Sequence, residues 1–151
     1  MVGNFAVGKT SLTQKFVNNV FSDKYLTTIG VKIDSIVIDQ TKLIIWDIAG
    51  RDSLTPINTN YLVGATGIVL VADGTRAGTM AALQSLWHTT ENRIGRVPVV
   101  VALNKRDHPQ WEVSEDQLKL IENNGWTAFE TSAKDGSNVQ ALFAHLASLL
   151  V

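Results

Sequence analysis

The stretch GNFAVGKT at residues 3–10 constrains this chain more than any other. Its spacing, G-x-x-x-x-G-K-[ST], is that of a loop whose backbone N–H groups curl around phosphate oxygens and whose end opens a helix. The helix N-terminus adds positive potential at the same place. In this pattern Lys9 reaches the outer phosphates and the Thr10 hydroxyl is offered to Mg²⁺. A bulky Phe5 sits among residues that should crowd a phosphate, and Met1 and Val2 precede the loop.

The rest of the chain is consistent with an α/β domain around such a loop. The runs KLIIWD (42–47), GIVLVAD (67–73) and VPVVVALN (97–104) are short and almost continuously apolar. Strands buried on both faces of a parallel sheet look like this. VKIDSIVID (31–39) alternates instead, with Val31, Ile33, Ile36 and Ile38 apolar, which predicts a half-exposed edge strand. Asp39, Gln40 and Thr41 read as a tight turn that folds it back on the 42–47 strand as an antiparallel hairpin. WTAFETS (126–132) is a further strand. Helical spacing of apolar residues predicts helices over 9–20, 79–94, 114–123 and 137–150. Ser114 and Gln117 form a capping box at the start of the third, and Gly125 stops it.

With 151 residues, the chain has the length of one domain, expected to span 1–151. The formal net charge of −1 and the lack of a basic block argue against nucleic acid or an anionic membrane as partner. The absence of cysteine excludes disulfides, cysteine zinc sites, cysteine nucleophiles and thiol lipidation in this chain. No apolar run approaches ~18 residues and no signal peptide is visible, so a cytoplasmic, monomeric protein is expected, without a membrane anchor in this chain.

Parallel sheets bind ligands at the carboxyl ends of their strands. After the first strand comes the phosphate loop. After 42–47 comes DIAG, where Asp47 is placed to hold Mg²⁺ and the Gly50 N–H can approach a terminal phosphate. After 97–104 comes NKRD, and after the last strand comes SAK (132–134). The phosphate loop alone is shared by ATP and GTP enzymes. N-K-x-D decides the base, because guanine presents N1–H and N2–H₂ on one edge and a carboxylate such as Asp107 accepts both. Adenine has no such donor pair and leaves the carboxylate unpaired. An ATP-using kinase is the weaker alternative.

In their order and spacing, GKTSL, FSDKYLTTIGV, WDIAG, YLVGATGIVLV, NKRD and TSAKDG resemble the Ras-like small GTPases from end to end, most closely the Rab branch. The resemblance implies a P-loop NTPase three-layer fold: a six-stranded, mostly parallel sheet with one antiparallel edge strand and five helices. It implies a GTP/GDP switch with Mg²⁺ as cofactor. The nucleotide would be held by Gly3, Asn4, Phe5, Ala6, Val7, Gly8, Lys9, Thr10 and Ser11 of the phosphate loop. Phe21 would lie against the guanine and Tyr25 would close over the phosphates, with Phe21 as a core residue the alternative. Thr28, or less favourably Thr27, would join Thr10 and Asp47 around Mg²⁺ and sense the terminal phosphate beside Gly50. Asn104 would buttress the base site, Lys105 pack over the base, and the Ala133 N–H meet the guanine oxygen between Ser132 and Lys134. Effector, exchange factor and activating protein would use residues 22–34 and 48–61, the two switches. Lys32 and Asp34 read as a solvated strand face, and His88, His108 and His145 match no functional position.

Four departures from the family pattern matter. Arg51 stands where a glutamine ordinarily orients the attacking water, and a guanidinium only donates hydrogen bonds. It could instead stabilise phosphate charge, which groups it with Lys9, Thr28 and Gly50 as candidate catalytic residues. Phe5 occupies an ordinarily small position bordering the terminal phosphate and the path of a partner's arginine. Ile48 replaces a usual threonine. The first strand, central in this fold, is short enough to suggest a truncated strand and an incomplete amino terminus, and the chain stops on its last helix. The expectation is a guanine-nucleotide switch with slow hydrolysis. The alternatives are a non-catalytic guanine-nucleotide-binding scaffold and the nucleotide-binding domain of a larger protein.

Overall fold

Two of the three continuous apolar runs, 67–73 and 97–104, become the middle of the molecule in the computed structural model, which describes residues 1–24, 26–52 and 55–151. The elements in chain order are β1 (Val2–Gly3), α1 (Lys9–Asn18), β2 (Val31–Ile38), β3 (Thr41–Ile48), a 3-10 turn (Thr59–Leu62), β4 (Ile68–Asp73), α2 (Ala77–Ala81), α3 (Leu83–Ile94), β5 (Val99–Asn104), α4 (Glu115–Asn123), β6 (Thr127–Glu130) and α5 (Val139–Leu149). Every residue of β4 and β5 is buried. Leu70, Ala72, Val101 and Leu103 pack on one face with Leu86, Trp87 and Ile121 of α3 and α4. Val69, Val71, Val100 and Ala102 pack on the other with Leu12, Leu142 and Phe143 of α1 and α5. Helices on both faces explain why these strands show no polar alternation. The Phe16 and Phe143 rings stack at 4.1 Å, tying α1 to α5.

Among the described residues, the six strands divide four plus two. β1, β4, β5 and β6 pair in parallel in the order β1-β4-β5-β6, and β2 and β3 form an antiparallel pair. The pair meets β1 through the Met1 nitrogen, which donates to the Trp46 carbonyl at 3.0 Å, and through a parallel bridge between Asn4 and Arg51. A β1 of two residues offers too few rungs to join the hairpin in a continuous ladder.

Three expectations need correction. The 42–47 run is not buried on both faces: among the described residues β3 pairs antiparallel with β2 alone, and its Ile44 and Trp46 are 59% and 40% exposed while Ile45 and Asp47 point inward. The 79–94 helix is two helices, α2 and α3, that meet at Ala82. Ala82 stays right-handed (φ −74°, ψ −16°), so the apolar spacing runs through the join and reads as one helix. Asp34 is half-buried rather than on a solvated face, whereas Ile33 is 51% exposed opposite Trp46. The apolar alternation of β2 slips phase between Ile33 and Ile36, so one of its halves must face outward. Elsewhere α1 ends two residues early, where Asn19 turns left-handed (φ 54°) and its N–H returns to Lys15. The Ser114–Gln117 capping box forms on α4.

The β2–β3 turn carries positive φ at both central residues, 44° at Asp39 and 71° at Gln40, as a type I′ hairpin turn requires. Glycine meets that demand at the second position without a Cβ penalty. Gln40→Gly should therefore stabilise the fold by about 1 kcal/mol, a rise of a few degrees in Tm by circular dichroism. An unchanged or lower Tm would count against this turn.

The carboxyl ends of β1, β3, β4, β5 and β6 open on one edge, which gathers residues 3–10, 47–51, 73–76, 104–107 and 131–134. Among the described residues, no helix is long and apolar enough to cross a membrane.

Candidate functional site

The loop after β1 is a concave run of backbone. Ala6 (φ 60°) and Gly8 (φ 101°) are left-handed on either side of Val7, an alternation that turns successive N–H groups to one side. The N–H groups of Ala6, Val7 and Gly8 have no acceptor among the described residues, and the first-turn N–H groups of α1 follow directly. Gly8 is required twice over: by its φ, and because a Cβ there would stand 2.2 Å from Asn104 Nδ2. Three successive carbonyls of the loop are held by side chains from β5 and from the loops after β4 and β5. Asn104 Nδ2 donates to Val7 at 3.0 Å, Lys105 Nζ to Ala6 at 3.1 Å, and Arg76 Nη2 to Phe5 at 2.7 Å.

Beneath the loop, Lys9 is 6% exposed and its ammonium donates to the Asn4 carbonyl at 3.1 Å. Burial holds it down at about 8 from the usual 10.5, with Asp47 opposing and Arg76 adding to the effect. An anionic ligand would restore the charge that burial penalises. The Thr10 hydroxyl stands 2.8 Å from that of Thr28 and donates to Asp47 Oδ2. Thr27 is exposed. Asp47 is fully buried, and burial pushes its carboxyl above the usual range against the pull of Thr10 and Lys9. Its Oδ1 has no hydrogen-bond partner among the described residues.

A buried carboxylate oxygen left unpaired is costly. Two hydroxyls and an orphaned carboxylate oxygen are hard donors of the kind Mg²⁺ takes, commonly with waters completing its shell. Thr10, Thr28 and Asp47 therefore fit that ion.

On the base side, Asn104 is anchored between loops. Its Nδ2 holds Val7, and its Oδ1 accepts from Thr131 Oγ1 at 3.2 Å. Asp107 lies exposed, its Oδ1 accepting from the buried Ser132 hydroxyl at 2.7 Å. Ala133 is buried and Lys134 exposed. Lys105, besides reaching Ala6, places Nζ 2.8 Å from Asp73. Ser11 opens α1. Phe21 is 38% exposed, outside the core. Tyr25 lies outside the described residues, as do residues 53 and 54 of the second switch.

Gly50 and Arg51 run against the loop. Arg51 N donates to the Gly3 carbonyl at 3.2 Å, and Phe5 N donates to the Arg51 carbonyl at 2.8 Å. A Cβ on Gly50 would lie 2.8 Å from both Lys9 Nζ and Phe5 Cα, so only glycine allows this approach. The Arg51 guanidinium is engaged with Ser85 of α3, Nη1 to Oγ at 2.9 Å.

Asp73, Arg76 and Thr131 escaped the sequence reading. Asp73 ends β4 at the carboxyl edge where ligands gather, and that position was a signal for it. Its carboxylate, 1% exposed, takes Lys105, Arg76 and Thr75 together. Burial alone would push it up, but the hydrogen bonds from Lys105 and Thr75 win and hold it below the usual carboxylate range. Among the described residues, no three His, Cys, Asp or Glu cluster as a metal site, and the three histidines stand outside the loops described.

A family model described as the Ras family matches residues 1–151. The chain is 33% identical over 151 aligned positions to "Ras-related protein Rab-7L1" of Rattus norvegicus, covering 92% of this chain and 74% of the relative. It is 35% identical to "Ras-related protein Rab-1" of Theileria parva, covering 99% of this chain and 72% of the relative. "Ras-related protein SEC4" of Saccharomyces cerevisiae is 34% identical, with 99% and 73% covered.

Proposed function

Since the chain belongs to the Ras family, small GTPases that bind guanine nucleotide as switches, we propose that it is a Rab-like, Mg²⁺-dependent switch whose own GTP hydrolysis is slow. The observation that carries this is the run of N–H groups at Ala6, Val7 and Gly8 with no acceptor among the described residues, in the same loop whose Asn4 carbonyl holds the buried Lys9 ammonium. An anion with several oxygens in a row satisfies all of them at once.

In this reading the loop N–H groups and Lys9 hold the outer phosphates, and the Gly50 N–H approaches the terminal one. Thr10, Thr28 and Asp47 would hold Mg²⁺, which neutralises phosphate charge when bound. Asp107 takes the paired donors of guanine, with Ser132, Ala133 and Lys134 around the base and Phe21 and Tyr25 closing over the nucleotide. Water then attacks the terminal phosphate in line, and GDP leaves.

Cleavage is slow because the residue after Gly50 is Arg51, which cannot accept a proton from that water, and because Phe5 crowds the approach. Effector, exchange factor and activating protein dock on residues 22–34 and 48–61. The outward Ile33, Ile44 and Trp46, each at least 40% exposed, extend that surface with apolar area.

The test is the nucleotide that copurifies, followed by competition. GDP or GTP should be eluted, GTP should displace a fluorescent GDP, and ATP should not. Displacement by ATP as effective as by GTP would sink the guanine reading.

A further inference from the structure

We propose that Arg76 is a positioning residue for nucleotide binding: clamped by Asp73, it holds the Phe5 carbonyl outward and so presents the Ala6 N–H to the outer phosphates. The proposal rests on the guanine-nucleotide reading above and adds to it a residue outside the loops that carry it.

Arg76 makes two contacts at once. Its Nε lies 3.1 Å from Asp73 Oδ2, and its Nη2 donates to the Phe5 carbonyl at 2.7 Å, across 71 residues of sequence. In a planar trans peptide the carbonyl and the following N–H point in opposite directions. A donor that draws the Phe5 carbonyl to the back of the loop therefore turns the Ala6 N–H to the front. Lys105 acts in the same way on the Ala6 carbonyl and the Val7 N–H, and Asn104 on the Val7 carbonyl and the Gly8 N–H. Three successive peptides thus have one brace each. Two of the braces, Arg76 and Lys105, rest on the same carboxylate.

Ala6 needs this support. A non-glycine residue at φ 60° is strained by its Cβ and persists only where its surroundings over-determine it. Asp73 is a firm anchor, 1% exposed and itself held by the Thr75 hydroxyl at 2.6 Å and the Thr75 amide at 2.8 Å. A guanidinium bridges two acceptors in a fixed plane, which a single ammonium does not reproduce. The Arg76 side chain is 44% exposed and belongs to neither apolar core, so the fold does not depend on its packing.

The experiment compares the affinities of GDP and GMP for the wild-type protein, Arg76→Ala and Arg76→Lys by competition. GMP lacks the outer phosphate that the braced N–H groups face. Loss of a charge-assisted hydrogen bond should weaken GDP roughly 10- to 100-fold in Arg76→Ala, with GMP changed much less. Arg76→Lys should recover part of the loss. An equal fall for both ligands would mark Arg76 as merely structural and overturn the proposal, as would an unchanged GDP affinity. Loss of the fold in Arg76→Ala, with Arg76→Gln binding GDP and GMP in the wild-type ratio, would overturn it too. Wild-type protein that fails to prefer GDP over ADP would instead sink the guanine reading, before Arg76 is reached.

Discussion

Asp47→Asn should release bound GDP roughly 10- to 100-fold faster in magnesium buffer, and EDTA should accelerate the variant no further. The wild-type protein should show the contrast that the variant loses. Asp47 is fully buried, one carboxylate oxygen is used by Thr10, and the other has no hydrogen-bond partner among the described residues. Burial already raises its pKa, so the anion is held at a cost that a divalent cation would offset. Asparagine keeps the shape and a carbonyl for Thr10, and removes the charge. The change therefore separates an electrostatic role from a packing one, and circular dichroism would verify that the fold is retained. Persistence of the EDTA effect in Asp47→Asn would show that the ion, if needed at all, is held elsewhere.

What could be read from sequence follows a physical division. The buried strands were legible because helices on both faces leave only apolar residues tolerable there, and β4 and β5 are buried throughout. The capping box at Ser114 was legible because both of its hydrogen bonds are local. The phosphate loop was legible because its chemistry lies in the backbone, which demands glycine at Gly3, where a Cβ has no room, and at Gly8, where φ is positive as well. The features that escaped are tertiary. Ala82 separates α2 from α3 without leaving right-handed backbone, so no residue type betrays the break. Asp73 looks like the polar end of a strand and Arg76 like a loop cation. Only the fold places them behind Phe5 and Ala6. The same is true of Asn104, whose motif was visible while its bond to Val7 was not. That bond joins the base loop to the phosphate loop, so displacement of either is felt at the other.

Arg51→Gln combined with Phe5→Gly should raise the single-turnover rate of GTP cleavage by about a hundredfold over the wild-type protein. The backbone is already in place for it. Arg51 N and O both bond the phosphate loop, so the side chain after Gly50 is rooted beside Phe5 whatever its identity. What departs is the side chain itself. The guanidinium holds only donors and is engaged with Ser85, whereas a glutamine amide both accepts from and donates to a water. Phe5 is 37% exposed, and its Cα lies 2.8 Å from where a Cβ on Gly50 would sit, so its ring is rooted at the junction of the two segments. Glycine there clears the ring and leaves the main-chain bridge, at a cost in chain entropy of about 0.5–1 kcal/mol. Each single change should give a smaller gain, because a correctly oriented water still needs room and an open site still needs orientation. An unchanged rate in the double variant would remove Arg51 and Phe5 as the cause. Fast cleavage by the wild-type protein would remove the slowness itself. GTP held intact for hours by both proteins, with the same protease sensitivity of residues 22–34 in GDP and GTP, would favour a scaffold over a switch.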